Sequence, residues 1–280
     1  MRHPTMTHLL LSGSILFFGG CDTPQEAPTE RVRQSALIEP GDLLLTRQSA
    51  PGTEIFATPE PVREGIDPYR VLRLQDPPDL PGIEDGMRVL DVQWAGGGGE
   101  NLVVLGADRV LRLHTQEGVN VLDEEVLGPL SVSSNKIAYV YGEPPDVFVR
   151  VYDLTRRTHV EVDQLSPAWS PALSEDGEEV IFVASHQGRG HFFVRRATGE
   201  LETIPTGLRT PSSPTAPIWR DGDLFFEDER GVVHLDLETA SIEAEYTGAK
   251  LLPHDGSPRI QILEDGKPRE IATWTQGGRR

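Results

Sequence analysis

Few side chains in this 280-residue chain have the types and spacing that chemistry demands. Cys21 is the single cysteine, and its thiol is the one side chain suited to covalent modification by alkylation. His186 and His191, in SHQGRGH, flank a short loop where two imidazoles can converge. A metal site of that kind needs three or four ligands, and no third is indicated. Asp221, Asp223, Glu227, Asp228 and Glu229 crowd one stretch with carboxylates, without the D-x-D-x-D-G ladder of a dedicated calcium loop. The four glycines at 96–99 invite a phosphate-loop reading, but no Lys followed by Ser or Thr comes next, and the segment leads into the strand-like NLVVLG. Serine catalysis would require a strained turn such as G-x-S-x-G, and no such pentapeptide follows Cys21. These patterns predict no catalytic constellation, no metal and no cofactor.

Cys21 gains meaning from what precedes it. Arg2 and the α-amino group make a modest positive start, residues 9–18 form an apolar core, and Gly19 and Gly20 lead directly to the cysteine. A membrane-spanning helix needs roughly 20 apolar residues, so this run is too short to span and reads as a cleaved export signal. The segment FGGC resembles the bacterial lipobox, with Phe18 where Leu is usual and Gly19 where Ala or Ser is usual. The resemblance implies cleavage between Gly20 and Cys21, lipid on the Cys21 thiol and acylation of its new amine. Acyl chains add about 0.8 kcal/mol per buried methylene, so several chains on one residue hold a folded domain at a bilayer. An ordinary secretory signal cut nearby is the alternative. Residues 22–33, DTPQEAPTERVR, have the composition of a tether. The expected organisation is a signal peptide at 1–20, a tether at 21–36, a repeat domain at 37–276 and a tail at 277–280.

Bulk charge narrows the partners. The chain carries 26 Lys plus Arg against 44 Asp plus Glu, a formal net charge of -18, and removing residues 1–20 makes it more acidic still. A field of that sign repels phosphate backbones, which argues against nucleic acid. It also leaves no basic face for anionic lipids, so membrane attachment would fall to lipid on Cys21 alone.

The elements that must position any site are strands. The 28 glycines and 23 prolines lie between short β-branched and aromatic runs rather than in one block, and no segment sustains helical periodicity over three turns. Runs near residues 43–46, 102–105, 137–141, 180–184, 224–226 and 260–263 recur about every 40 residues, apart from a longer first interval, and each leads into further strands. That period is the signature of a β-propeller, in which one twisted sheet buries both faces against its neighbours around a ring. Trp94, Trp169 and Trp219 each precede the equivalent strand, and their shared place favours blade packing over a sugar- or peptide-binding surface. Asp176 with Gly177, Asp221 with Gly222, and Asp265 with Gly266 are hairpin-turn chemistry.

At SPAWSPALSEDGEEVIFVAS the chain resembles the TolB-type, WD40-like propeller repeat. The matching positions are Ser166, Pro167, Trp169, Ser170, Pro171, Asp176, Gly177, Thr198, Gly199 and Glu200, with ALSE inserted before Asp176. Pro217, Trp219, Asp221 and Gly222 match more loosely, and the other repeats match by spacing. The resemblance implies an all-β propeller and a protein partner in the cell envelope. Six blades are expected, at 37–82, 88–125, 128–164, 165–206, 214–247 and 250–276, with five or seven also open and a two-sheet sandwich as the competing fold. The expected role is non-catalytic binding by an exported, membrane-anchored module. The competing role is an enzyme or small-ligand sensor whose site gathers in the central channel from separate blades.

Overall fold

The computed structural model describes residues 44–46, 55–59, 71–75, 77–95, 101–133, 135–186, 189–204, 210–211, 216–252, 259–275 and 278–279. All belong to the unit formed by residues 38–280. Cys21, Gly20, the expected tether and the glycines at 96–99 lie outside the described residues. No helix among the described residues is long and apolar enough to cross a membrane.

The chain folds as a β-propeller, and its described residues form five antiparallel sheets. The first holds β1 (Leu44–Thr46), β2 (Ile55–Pro59), β3 (Leu72–Gln75), β4 (Arg88–Ala95), β5 (Asn101–Gly106), β6 (Leu111–Thr115) and β7 (Gly118–Asp123). The second holds β8 (Val126–Ser133), β9 (Lys136–Glu143), β10 (Asp146–Asp153) and β11 (Thr158–Glu161). The third is β12 (Ala168–Leu173), β13 (Val180–His186), β14 (Arg189–Arg195) and β15 (Leu201–Ile204). The fourth is β16 (Ile218–Arg220), β17 (Asp223–Asp228), β18 (Gly231–Asp236) and β19 (Ser241–Thr247). The fifth is β20 (Lys250–Leu251), β21 (Arg259–Glu264), β22 (Lys267–Thr275) and β23 (Gly278–Arg279).

Six blades were the expectation from spacing, with five or seven open, and the described residues form five sheets, one of the expected counts. The first two expected blades are one sheet, because β3 pairs with β4 through Leu72 opposite Val89 and Arg73 opposite Arg88. Leu74 N–H donates to the Met87 carbonyl at 3.0 Å, and Gly86 N–H donates back to Leu74 at 2.9 Å. A pleated edge left unpaired exposes a row of donors and acceptors, and here the tight turn at 77–86 folds β3 back to satisfy part of it.

Strand position dictates burial. Interior strands read as continuous apolar runs because both of their faces are covered: Val180, Ile181, Phe182, Val183 and Ala184 of β13 are all buried, as are Leu102, Val103, Val104 and Leu105 of β5. Outermost strands are wet, and β19 alternates exposed with half-buried residues while β11 is exposed throughout. Successive sheets pack on one another through β4 on β8, β8 on β12 and β12 on β16.

The apolar clusters sit between sheets. Leu105, Leu111, Ile137 and Tyr139 join the first sheet to the second. Val149, Leu173 and Phe182 join the second to the third, Phe192 and Phe226 the third to the fourth, and Phe225 and Ile262 the fourth to the fifth. Each fully buried Phe or Leu contributes about 1.5–3 kcal/mol, so the ring is held by its seams as much as by its hydrogen-bonded ladders.

Candidate functional site: a cleft between the third and fourth sheets

The turn that links β12 to β13 and the turn that links β16 to β17 form a cleft. Arg220 and Asp223 pair across a two-residue loop in which Asp221 has φ 47° and Gly222 φ 84°. Positive φ at both central residues is the turn that suits the strand twist, and Asp-Gly is a sequence that adopts it readily. The neighbouring turn, residues 174–179, is longer. Gly177 N–H donates to the Ser174 carbonyl at 2.9 Å, and Ser174 N–H donates to Glu179 at 3.0 Å.

Between these turns lies a cleft of about 470 Å³ lined by Ser174, Glu175, Asp176, Glu179, Trp219, Arg220, Asp221 and Gly222. Trp219, 9% exposed, forms its apolar wall. Arg220 reaches across the seam to Glu175 at 2.7 Å, and Arg196 holds Glu179 at 3.2 Å while bonding Glu202 at 2.7 Å. Asp176 accepts the Ser174 hydroxyl at 2.7 Å and the Glu178 N–H at 2.9 Å. These bonds, the hydroxyl first, hold its carboxyl below the ordinary range. The cleft therefore offers ionised oxygens beside an indole, a surface that attracts cations and accepts hydrogen bonds.

Trp169 and Trp219 lie on the first strands of their sheets and Trp94 on β4, the fourth strand of the first sheet, and the three do not share one register. Trp94 faces Leu102 and Trp219 faces Leu224, each the second residue of the following strand. Trp169 faces Val183, the fourth, because a register shift follows it and Ser170 adopts φ 51°. Its indole N–H donates to the Pro211 carbonyl at 3.3 Å, and its ring touches the clusters on both sides of the third sheet. Trp94 packs on the first sheet's cluster. Of the three, Trp219 lines the cleft, together with Asp176 and Gly222. Gly177 lies beside the cleft in the 174–179 turn, against the Ser133 carbonyl of the second sheet.

His186 and His191 come together on β13 and β14 with ring centroids 5.8 Å apart. Among the described residues no group of three or more His, Cys, Asp or Glu is placed to hold a metal ion. The acidic stretch at 221–229 is divided among structural tasks. Asp223 bonds His234 at 2.5 Å, Glu227 accepts the Leu251 N–H at 2.9 Å, and Asp228 accepts the N–H groups of Arg230 and Gly231 at 2.8 and 3.2 Å.

Sequence spacing does not reveal the most connected polar cluster. Asp123, at the end of β7, accepts Arg150 at 2.8 Å and the Tyr139 hydroxyl at 2.7 Å, while His159 Nδ1 lies 2.9 Å from that hydroxyl. Burial first, then the adjacent carboxylate, drives the Tyr139 phenol well above its ordinary value, so it stays protonated and donates. Every member is spent on a neighbour, and the cluster ties the first sheet to the second. Its one sequence signal is a Tyr and an Arg inside apolar strand patterns.

No protein-family model matches the chain, and no curated protein matches it. Solved structures similar to it include a chain of the mitotic checkpoint complex, with 12% identity, 85% of this chain and 77% of that chain covered, and a TM-score of 0.52. TolB from Acinetobacter baumannii has 14% identity over 75% of this chain and 61% of that one, with a TM-score of 0.49. The putative TolB from Agrobacterium tumefaciens has 12% identity over 85% and 82%, with a TM-score of 0.45. This chain thus spans 61% of the length of the Acinetobacter protein. At such identities the likeness is one of fold, the β-propeller.

Proposed function

We propose that this chain is an exported module, anchored by lipid on Cys21, that binds a protein partner in the cell envelope and performs no catalysis. The observation that carries the binding reading is the cleft built jointly by the third and fourth sheets, where Trp219 adjoins Glu175, Asp176, Glu179 and Asp221. A partner segment bearing Lys or Arg suits it, since a cation there gains carboxylate contacts and apolar cover at once. The strands β4, β8, β12, β16 and β20 carry one acidic residue between them, Asp91, which favours a packed channel wall over a converging catalytic set. The anchor rests on the signal-like N-terminus and the lipobox resemblance at FGGC.

The test is recovery of cross-linked partners from the native envelope by the wild type and by Asp176→Lys/Asp221→Lys. Both positions are exposed turn residues outside the apolar seams, so the ring survives the exchange. A partner held by the wild type and lost by the charge-reversed protein supports the reading, and equal recovery overturns it. Intact-mass measurement of the membrane fraction tests the anchor separately, and a soluble product beginning after Cys21 removes it.

A further inference from the structure

The end strand of a sheet keeps one row of backbone N–H and C=O groups facing outward, and that row templates any other extended chain unless charge blunts it. β7, β11, β15 and β19 are end strands of the first four sheets. Three of them carry exposed carboxylates within their span: Glu161 in β11, Glu202 in β15, and Glu243 and Glu245 in β19. β7 differs. Its exposed residues are Val119, Asn120 and Val121, and the two valines are 42% and 58% exposed.

This edge is held in place by the rest of the molecule. Val119 and Val121 pair with His114 and Arg112 of β6 and, two residues apart, stand on one face of the sheet. Thr115 Oγ1 donates to the Gly118 carbonyl at 3.1 Å where the strand begins. Where it ends, Leu122 is buried and Asp123 is fixed by Arg150 at 2.8 Å and the Tyr139 hydroxyl at 2.7 Å. A strand already ordered costs an incoming segment less entropy to pair with.

Charge selects the occupant. Glu117 precedes the edge and Glu124 and Glu125 follow it, all three exposed and without an ion pair among the described residues. A second copy laid antiparallel on β7 would set Glu117 of one chain near Glu124 and Glu125 of the other, which opposes like charges. An extended segment with Val, Ile or Thr at alternate positions and Lys or Arg at its ends matches both the valines and the carboxylates. We propose that β7 is a docking edge, onto which a basic-ended extended segment of a protein partner adds as a further strand of the first sheet. It is a second contact surface, separate from the cleft of the third and fourth sheets.

The probe is a short capped peptide of alternating Thr and Val with Lys at both ends, titrated into the folded chain, and the readout is backbone amide shifts and exchange. The expected result is shifts and slowed exchange centred on Val119, Asn120 and Val121. The same peptide with Glu at both ends should bind about fivefold more weakly. Val121→Lys, at an exposed position, should lose the response, whereas Val160→Lys on the exposed strand β11 should keep it. Glu117→Lys/Glu124→Lys should exchange the preference between the two peptides. Shifts absent from β7, equal binding of the two peptides, or unchanged binding by Val121→Lys overturns the proposal. A monomer–dimer equilibrium in sedimentation that Val121→Lys abolishes assigns the edge to a second copy and overturns the partner.

Discussion

The guanidinium of Arg150 meets the carboxylate of Asp123 at 2.8 Å across the boundary between the first and second sheets, and both side chains are largely buried, 18% and 15% exposed. Arg150 also lies over the Tyr141 ring at 3.5 Å and reaches Glu161 at 3.3 Å. A pair of this kind stabilises less by its own attraction than by what its breakage strands: an anion with nothing to balance it.

Replacing Arg150 with Ala leaves Asp123 with the Tyr139 hydroxyl, the Glu124 N–H and, at 3.8 Å, the His159 imidazole, and no guanidinium to balance it. We expect a loss of about 3 kcal/mol in unfolding free energy, measured by urea denaturation. Arg150→Lys should recover part of that loss, since it restores charge without the fork that reaches both Asp123 and Glu161.

Phe226, 2% exposed, packs on Phe192 of the third sheet with centroids 5.4 Å apart. Phe226→Ala removes one side of that seam and opens a cavity that rigid neighbouring sheets cannot close. The expected cost is about 3–5 kcal/mol, read from the denaturation midpoint. Phe226→Leu should cost distinctly less.

Gly231 opens β18 with φ 143°, and a Cβ added there would run into the Tyr246 carbonyl and lie 2.8 Å from Gly248 N. Both obstacles are backbone, so neither can swing aside. Gly231→Ala should lower the thermal midpoint and raise exchange at the β18–β19 amides, while Gly266→Ala, in open space at φ 72°, should cost only its backbone strain. Equal losses at the two positions would refute the steric argument.

Asp108 pairs with Arg112 at 2.6 Å, and its bond to that side chain, first among the causes, lowers its carboxyl below 3.8. A lowered folded value means stability that is present above 3.8 and disappears as pH falls through the lower folded value. With Asp108 54% exposed the contribution is small, about 0.5 kcal/mol at neutral pH. Comparing wild type with Asp108→Asn should show that difference at pH 7 and its closure in strong acid.

Much of the scaffold was legible in order. The strand runs at 102–105, 137–141, 180–184 and 224–226 fall within β5, β9, β13 and β17, and the Asp-Gly pairs at 221–222 and 265–266 occupy two-residue turns with positive φ at both positions. Residue type suffices there because alternation, β-branching and tolerance of positive φ act within a few residues. Spacing left the blade number open among five, six and seven, because the pairing of Leu72 with Val89 depends on where a turn returns the chain, and hydrogen bonds between backbones leave no mark in side-chain identity.

The cleft and the seam divide in the same way. By itself the sequence determined that Trp219 would precede one of the repeated strands and that Asp176 and Gly222 would belong to tight turns. Only the tertiary structure decided that Glu175 and Arg220, 45 residues apart, would close one wall, and that Asp91 would accept a hydrogen bond from the Leu130 N–H, 39 residues on. The physical reason is that radial closure sets neighbouring sheets side by side, so contacts that matter most for recognition and for the seam are made between segments whose local patterns are independent of each other.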